Sequence, residues 1–273
     1  MKLVFIAVNY NNSDITINYI QSILALKRSN KSTIRIVIVD NNSEEKDFKN
    51  LHTYIKDVTL NSSKIDLIRN TTNRGYFGGL NTGLKSWGVD QNTYVVIGNN
   101  DLAFADDFIF NLLNSTYDND VMVIAPDVIT RDGIHQNPHC INRVSPIRKF
   151  LYKLYYTNYY LGTSIRFPAL IYNKYKKPKT LKINQRMHIY MGIGACYILT
   201  PRFFEHYSLL DESVFLWGEE ALLANQVMKA KGKTLYEPNL TVFHFESASV
   251  SRISSKKSWE MQRQSFPMYE KYL

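Results

Sequence analysis

Asp101 ends the stretch Tyr94-Val95-Val96-Ile97-Gly98-Asn99-Asn100-Asp101, where four residues of high β-propensity run into glycine and three small polar side chains. A carboxylate in that place is a hard oxygen ligand, suited to Mg²⁺ or Mn²⁺ that already carries phosphate. Glu219 and Glu220 follow Phe215-Leu216-Trp217-Gly218 at the start of an expected helix. The helix dipole favours ionised carboxylates at that end, and an ionised carboxylate can take the proton of an acceptor hydroxyl. The aromatic run before them could wall a sugar pocket. His244, between Phe243 and Phe245, is either a structural histidine or a second ligand beside Asp101. Taken singly, these features also read as a strand turning into a loop and as ordinary helix-start acids.

Two nucleotide-binding patterns are excluded. The loop carrying Gly75, Gly78 and Gly79 precedes a helix, and its backbone N–H groups could approach a phosphate. Its spacing is not that of a dinucleotide-binding G-x-G-x-x-G. Gly232-Lys233-Thr234 imitates the end of a P-loop, but Val227 stands where that loop needs glycine.

The elements that must position these residues alternate. Apolar runs at 3–8, 34–39, 65–68 and 94–97 read as strands, with a fifth at 121–125 stopped by Pro126. Continuous apolar runs of this length suit strands buried on both faces. Between them, Tyr19, Ile20, Ile23 and Leu24 recur at helical spacing, with Ser13 or Asp14 as cap. Helices are expected at 44–55 and 104–113, and one with Leu80, Leu84 and Trp87 on its inner face. This β-α-β alternation predicts an α/β fold, a mostly parallel central sheet with helices on both faces. Ligands of such sheets sit outside the carboxyl ends of the strands. Three of those ends are rich in Asn and Asp: 9–13, 40–43 and 99–101.

Beyond 131 the pattern weakens. Residues 143–179 are basic and tyrosine-rich, and read as an acceptor lid, a membrane-surface patch, an oligomer contact or a solvated connection. Order returns at 189–199, where Gly192, Gly194 and Ala195 allow close backbone approach. The helix after Glu219 has inner positions Leu223, Val227 and Ala230, with Gly232 as its C-cap. Short strands are expected at 234–236 and 241–245, then a polar, basic tail from Ser247.

At 273 residues, 45% apolar and 21% charged, the chain reads as one large domain. Its parts are a nucleotide-binding half (1–130), a connection or lid (131–186), an acceptor and catalytic half (187–250) and a tail (251–273). Cys140 and Cys196 give neither a disulfide framework nor a zinc spacing, which suits a reducing cytosol. The apolar start is short and lacks a cleavage site, so it reads as a strand and not a signal peptide. The net charge of +9 is compatible with nucleic acid, anionic lipid or phosphorylated ligands. The Asn- and Asp-rich strand ends argue against a nucleic-acid track.

Eight stretches in order resemble family-2 nucleotide-sugar glycosyltransferases, especially the rhamnosyltransferase-like bacterial enzymes of polysaccharide assembly. They are Val8-Asn9-Tyr10-Asn11, Val39-Asp40-Asn41-Asn42-Ser43, the loop from Asn73 to Asn81, Gly98-Asn99-Asn100-Asp101, Gly192-Ile193-Gly194-Ala195, Leu210-Asp211-Glu212, Trp217-Gly218-Glu219-Glu220 and Phe243-His244. The resemblance implies a GT-A fold and inversion at the anomeric carbon. It implies a donor grip by Asn9, Asp40, Asn42, Asn73, Arg74, Gly75, Gly79 and Asn81. Asn99, Asn100 and Asp101 are similar to the family's D-x-D element, with Asp101 and His244 on a Mn or Mg ion. Glu220 resembles the catalytic base and Glu219 its acidic neighbour. Two departures stand out: D-x-D keeps only its last acid, and the base is Glu where many relatives have Asp. The implied partners are a nucleoside-diphosphate sugar and a glycan acceptor, lipid-linked or on a glycoprotein, with no nucleic acid. The expected location is the cytoplasm; contact with the inner face of the membrane and self-association stay open. The competing reading is a non-catalytic nucleotide-sugar or glycan-binding module on the same fold.

Overall fold

Four of the apolar runs form one parallel block. In this computed structural model, which describes residues 2–27, 33–59, 64–88, 92–164, 182–245 and 255–273, they are β1 (Lys2–Asn9), β2 (Thr33–Asp40), β3 (Ile65–Arg69) and β4 (Thr93–Gly98). They pair in the order β3-β2-β1-β4, all parallel. Helices α1 (Ser13–Leu24), α2 (Glu45–Thr59) and α3 (Tyr76–Trp87) connect them. Successive β1 residues enter opposite cores: Phe5 packs with Tyr19, Ile20 and Leu51, while Val4 and Ile6 pack with Phe77, Leu80 and Leu84. That two-sided burial is why these strands are apolar throughout.

The rest of the sheet is mixed. It adds β5 (Leu102–Phe104), β6 (Val121–Thr130), β7 (Met187–Ile189), β8 (Cys196–Leu199) and β9 (Lys233–His244). The order continues β4-β8-β6-β9-β5, with β7 also on β9. Strand β8 runs antiparallel to both β4 and β6, while β6 and β9 are parallel. Further helices are α4 (Phe108–Asn114), α5 (Pro146–Thr157), α6 (Pro201–Phe204), α7 (Glu219–Lys229) and α8 (Ser255–Tyr269). A third core, with Val144, Met191, Ala221, Leu222, Phe266 and Tyr269, joins α7 and α8 beyond the sheet.

Several boundaries differ from the sequence reading. Phe104 belongs to β5, paired with Val242 and packed edge-on against Phe5 at 5.1 Å, so the helix expected at 104 starts at Phe108. Pro126 does not stop β6. The ladder with β9 slips between Pro126 and Asp127, and a slipped register is where a strand tolerates a residue without N–H. The same slip divides β9, which the sequence presents as two short strands. Ser13 and Asp14 do not cap α1: Asn12 occupies the cap position, and the Ser13 N–H donates to Asp47 Oδ1 at 2.8 Å. Helix α7 ends at Ala230 with Lys231 at φ 54°, so Gly232 is not its cap. Gly232 instead presses against Met122, leaving no room for a Cβ. Much of the tail forms α8. The lysines at 174, 176, 177 and 179 and the start of the tail lie outside the described residues. No described helix is long and apolar enough to cross a membrane.

Candidate active site

The strand ends open on one cleft of about 540 Å³. Its lining comes from the loop after β1 (Tyr10 to Asn12), from Asn41, from Asn73, Gly75 and Tyr76, and from Asn99 to Asp101. The other wall is Ile193 to Ala195, Phe215 to Trp217, Glu219, Glu220, Gln136 and His244. The two walls are tied together. The Tyr76 N–H donates to the Phe215 carbonyl at 3.0 Å, and the Tyr76 hydroxyl to the Gly194 carbonyl at 3.1 Å. Gly75, at φ 74°, lies so close to the Phe215 carbonyl that a Cβ would overlap it. The glycine is required there by both its φ and the contact.

Asp101 and His244 meet at one end. Asp101 Oδ1 lies 3.4 Å from His244 Nε2, and the carboxylate is buried. The far ring nitrogen, Nδ1, is 2.8 Å from Gln136 Oε1. That oxygen accepts from Nδ1, and Nε2 faces Asp101 and the Asn99 amide, 3.3 Å away. A carboxylate oxygen beside an imidazole lone pair can hold a divalent cation whose other ligands are phosphate and water oxygens. Among the described residues no group of three His, Cys, Asp or Glu side chains could hold an ion by itself.

Glu219 and Glu220 open α7 at the other end. The turn before them is strained, with Trp217 at φ 67° and Gly218 at φ 106°, a backbone that bulky side chains rarely adopt. Glu220 Oε1 accepts from the Gly194 N–H at 3.2 Å. A Cβ on Gly194 would come within 2.6 Å of that oxygen, so the glycine expected to allow close approach does so toward Glu220. Glu219 turns inward and is 4% exposed. Burial, and then the Glu220 charge, push its carboxyl up to about 8.

Six residues in the expected donor grip do not line the cleft. The Asn9 amide is spent inside, donating to Asp40, Ser43 and Asp47 and accepting from Thr16. Asp40 is fully buried, accepting from Asn9 and the Ser43 N–H, with Arg69 at 3.5 Å. Asn81 clamps the main chain of Leu210 and the Glu212 carboxylate. Arg74 pairs with Glu212 at 3.0 Å, and Gly79 packs on Val8. Asn42 is exposed at φ 66° in the turn after β2. These side chains shape the walls from behind. Asn73, Gly75, Asn99, Asn100, Asp101, Glu219, Glu220 and His244 do line the cleft, although Asn100 spends its amide N–H groups on Asn12 and Thr16.

The residue-type reading passed over Asn41, Tyr10, Asn12, Tyr76 and Gln136 as site residues. Asn41 holds the first wall's loop, donating to Asn73 Oδ1 and the Gly75 carbonyl, both at 2.9 Å. Its place in the Asp40-Asn41-Asn42 triplet was a usable signal. Gln136 carried none, since its role exists only through the fold.

A mixed sheet with this strand order, and a cleft across its strand ends, defines the nucleotide-diphospho-sugar transferase-like fold of the GT-A type. Similar solved structures include GalNAc-T7 with UDP, GalNAc and Mn²⁺, with TM-score 0.64, 14% identity, 91% of this chain and 44% of that one covered. The mannosyltransferase PcManGT from Pyrobaculum calidifontis, in complex with GDP-Man and Mn²⁺, gives 0.58 at 14% identity, covering 98% and 62%. Residues 4–196 match glycosyl transferase family 2, and the chain belongs to that family. A curated relative is the low-salt glycan biosynthesis hexosyltransferase Agl10 of Haloferax volcanii, 28% identical over 205 residues that cover 68% of this chain. The chain spans 59% of that relative's length.

Proposed function

We propose that the protein is an inverting glycosyltransferase that moves a sugar from a nucleoside-diphosphate sugar to a hydroxyl of a glycan acceptor. The observation that carries this reading is that Asp101 with His244, and Glu220, line the same cleft. The donor diphosphate belongs at the Asp101 end, among the Asn-rich strand ends. Asp101 and His244 would hold Mn²⁺ or Mg²⁺ there. Such an ion neutralises charge that develops on the departing diphosphate. Asn41 and Gly75 hold the neighbouring loop in shape.

Glu220 takes the proton of the acceptor hydroxyl. The oxygen forms its bond to the anomeric carbon as the bond from that carbon to the diphosphate oxygen breaks. The nucleoside diphosphate leaves with those electrons. A single displacement inverts the anomeric centre and needs one base and one stabilised leaving group. Glu219 stays neutral at pH 7 behind Glu220. One charge between the two carboxyls avoids like-charge repulsion at the base.

The acceptor is a glycan, as the name of the Agl10 relative suggests for that protein. UDP and GDP-Man each accompany one of the similar structures, so both kinds of nucleotide sugar belong in the donor panel. The deciding experiment is Glu220→Gln. Transfer should fall by at least about 10²-fold with donor affinity retained, read by isothermal calorimetry with a panel of nucleotide sugars and Mn²⁺. Unchanged transfer rejects Glu220 as the base. Donor binding without transfer in the wild type, across an acceptor panel, would favour a non-catalytic binding module.

A further inference from the structure

Helix α5 has two faces with different neighbours. On its inner side Tyr152 and Tyr156 wall a second cavity of about 260 Å³, together with Met191, Gln262 and Tyr269. Glu220, Trp217 and Ile193 line this cavity as well as the main cleft. Glu220 therefore stands in the partition between them. The wall is braced by α8: the Tyr156 hydroxyl donates to Gln262 Oε1 at 3.2 Å, and its ring lies 4.6 Å from Phe266. Aromatic faces carry negative charge density and attract the polarised C–H groups of a pyranose, while hydroxyl and amide groups at the rim take its oxygens.

The outer side is apolar and exposed among the described residues. Ile147 and Phe150 are 75% and 60% exposed, and Leu151 shares their face at i, i+3, i+4 spacing. Tyr160, 74% exposed, and Leu161 follow in the next helical residues. Arg148 and Lys149 flank the stripe, and Lys153 pairs with Glu270 at 3.4 Å. Between Asp132 and Glu205 the sequence holds twelve Lys and Arg and no Asp or Glu. An apolar stripe flanked by Arg148 and Lys149, within a stretch of sequence that carries only basic charge, complements an anionic bilayer. A nucleic-acid backbone would use the cations and leave the stripe wet.

We infer that the outer face of α5 docks on an anionic lipid bilayer, and that the cavity beneath it receives the sugar of an acceptor carried on a lipid in that bilayer. The second half rests on Glu220 as the base; the first does not.

Co-sedimentation with phosphatidylcholine vesicles, with and without phosphatidylglycerol, tests the docking face. The wild type should bind the anionic vesicles, less so as salt rises. Ile147→Glu with Phe150→Glu should weaken binding by at least about tenfold at an unchanged thermal midpoint, because both side chains are exposed. Equal binding by the variant, no vesicle binding, or preference for duplex DNA overturns the docking face. So does a wild-type dimer, seen by light scattering, that the variant dissociates. For the cavity, octyl hexopyranosides serve as acceptors and Tyr152→Ala as the variant. Its acceptor KM should rise about tenfold, with kcat and donor KM nearly unchanged. No change, or an equal rise in donor KM, overturns the cavity assignment. Vesicle binding with no transfer to any octyl glycoside removes the cavity assignment and keeps the docking face, while the Glu220 reading stands or falls separately with Glu220→Gln.

Discussion

Glu219 and Glu220 are adjacent and chemically identical, yet the fold treats them differently. Glu220 meets the cleft and the Gly194 N–H. Glu219 is buried, with an Oε1 that has no hydrogen-bond partner among the described residues. Its carboxyl titrates near 8 against an ordinary 4.5, first from burial and then from the Glu220 charge. In that window the native protein holds a proton that the unfolded chain has released. Stability therefore falls as pH rises from about 4.5 to about 8 and levels off above it. Glu219→Gln should remove that slope, a difference on the order of 2–4 kcal/mol across the window. Urea midpoints of the two proteins at pH 5 and pH 8 measure it. Parallel pH dependence would mean that Glu219 is ionised and solvated at neutral pH. The same residue predicts kinetics. Because a neutral Glu219 and an amide leave the same charge behind Glu220, the Gln variant retains most transfer at pH 7, unlike Glu220→Gln.

At the scale of elements, α3 is the part that holds the cleft's walls in register. It lies close on β1 and β2 because Gly79 and Gly83 face them: a Cβ at Gly83 would come within 2.5 Å of Ile6 Cγ2. From that position Asn81 donates to the Leu210 carbonyl at 2.9 Å and to Glu212 at 2.7 Å, and accepts from the Leu210 N–H at 2.9 Å. Asn81→Ala leaves two buried main-chain groups of Leu210 unpaired, at about 2–3 kcal/mol. The urea midpoint should drop with an unchanged m-value, and donor KM should rise as the segment leading to Trp217 loosens. A loss under about 0.5 kcal/mol would mean that water substitutes for the clamp. This element also marks how far the sequence was legible. The parallel block was readable because its strands are buried on both faces, so each run carries its own signal. Strand β5 and the continuity of β9 were not, since both depend on partners distant in the chain. Asn9, Asp40 and Asn81 were read as donor contacts because a polar side chain at a strand end looks the same whether it meets a ligand or braces a neighbouring loop. Asp101, His244 and Glu220, each singled out by its residue type and its place at an element's end, do line one cleft; Gln136, which meets His244 Nδ1, carried no such signal.

At the scale of the whole molecule, the cleft is a seam. One wall descends from the parallel block through Asn41, Asn73 and Gly75. The other descends from the mixed half through Gly194, Trp217 and Glu220, with Asp101 and His244 meeting across β5 and β9. A ligand that touches both walls binds only the assembled protein, so it stabilises by mass action. A nucleoside diphosphate with Mn²⁺ at about 100 times its Kd adds about 2.7 kcal/mol, a rise of roughly 5–10 °C for a chain of this size. Because two protein ligands hold the proposed ion weakly without phosphate oxygens, Mn²⁺ alone and the diphosphate alone should each shift the midpoint much less than the two together. Chelation with EDTA should return the mixture to the value for the diphosphate alone. Asp101→Asn should abolish the Mn²⁺ increment while leaving the metal-free midpoint within about 1 kcal/mol, because the amide keeps the side chain's shape. An increment that survives in Asp101→Asn would move the cation away from the β5–β9 junction and separate it from the base at the head of α7.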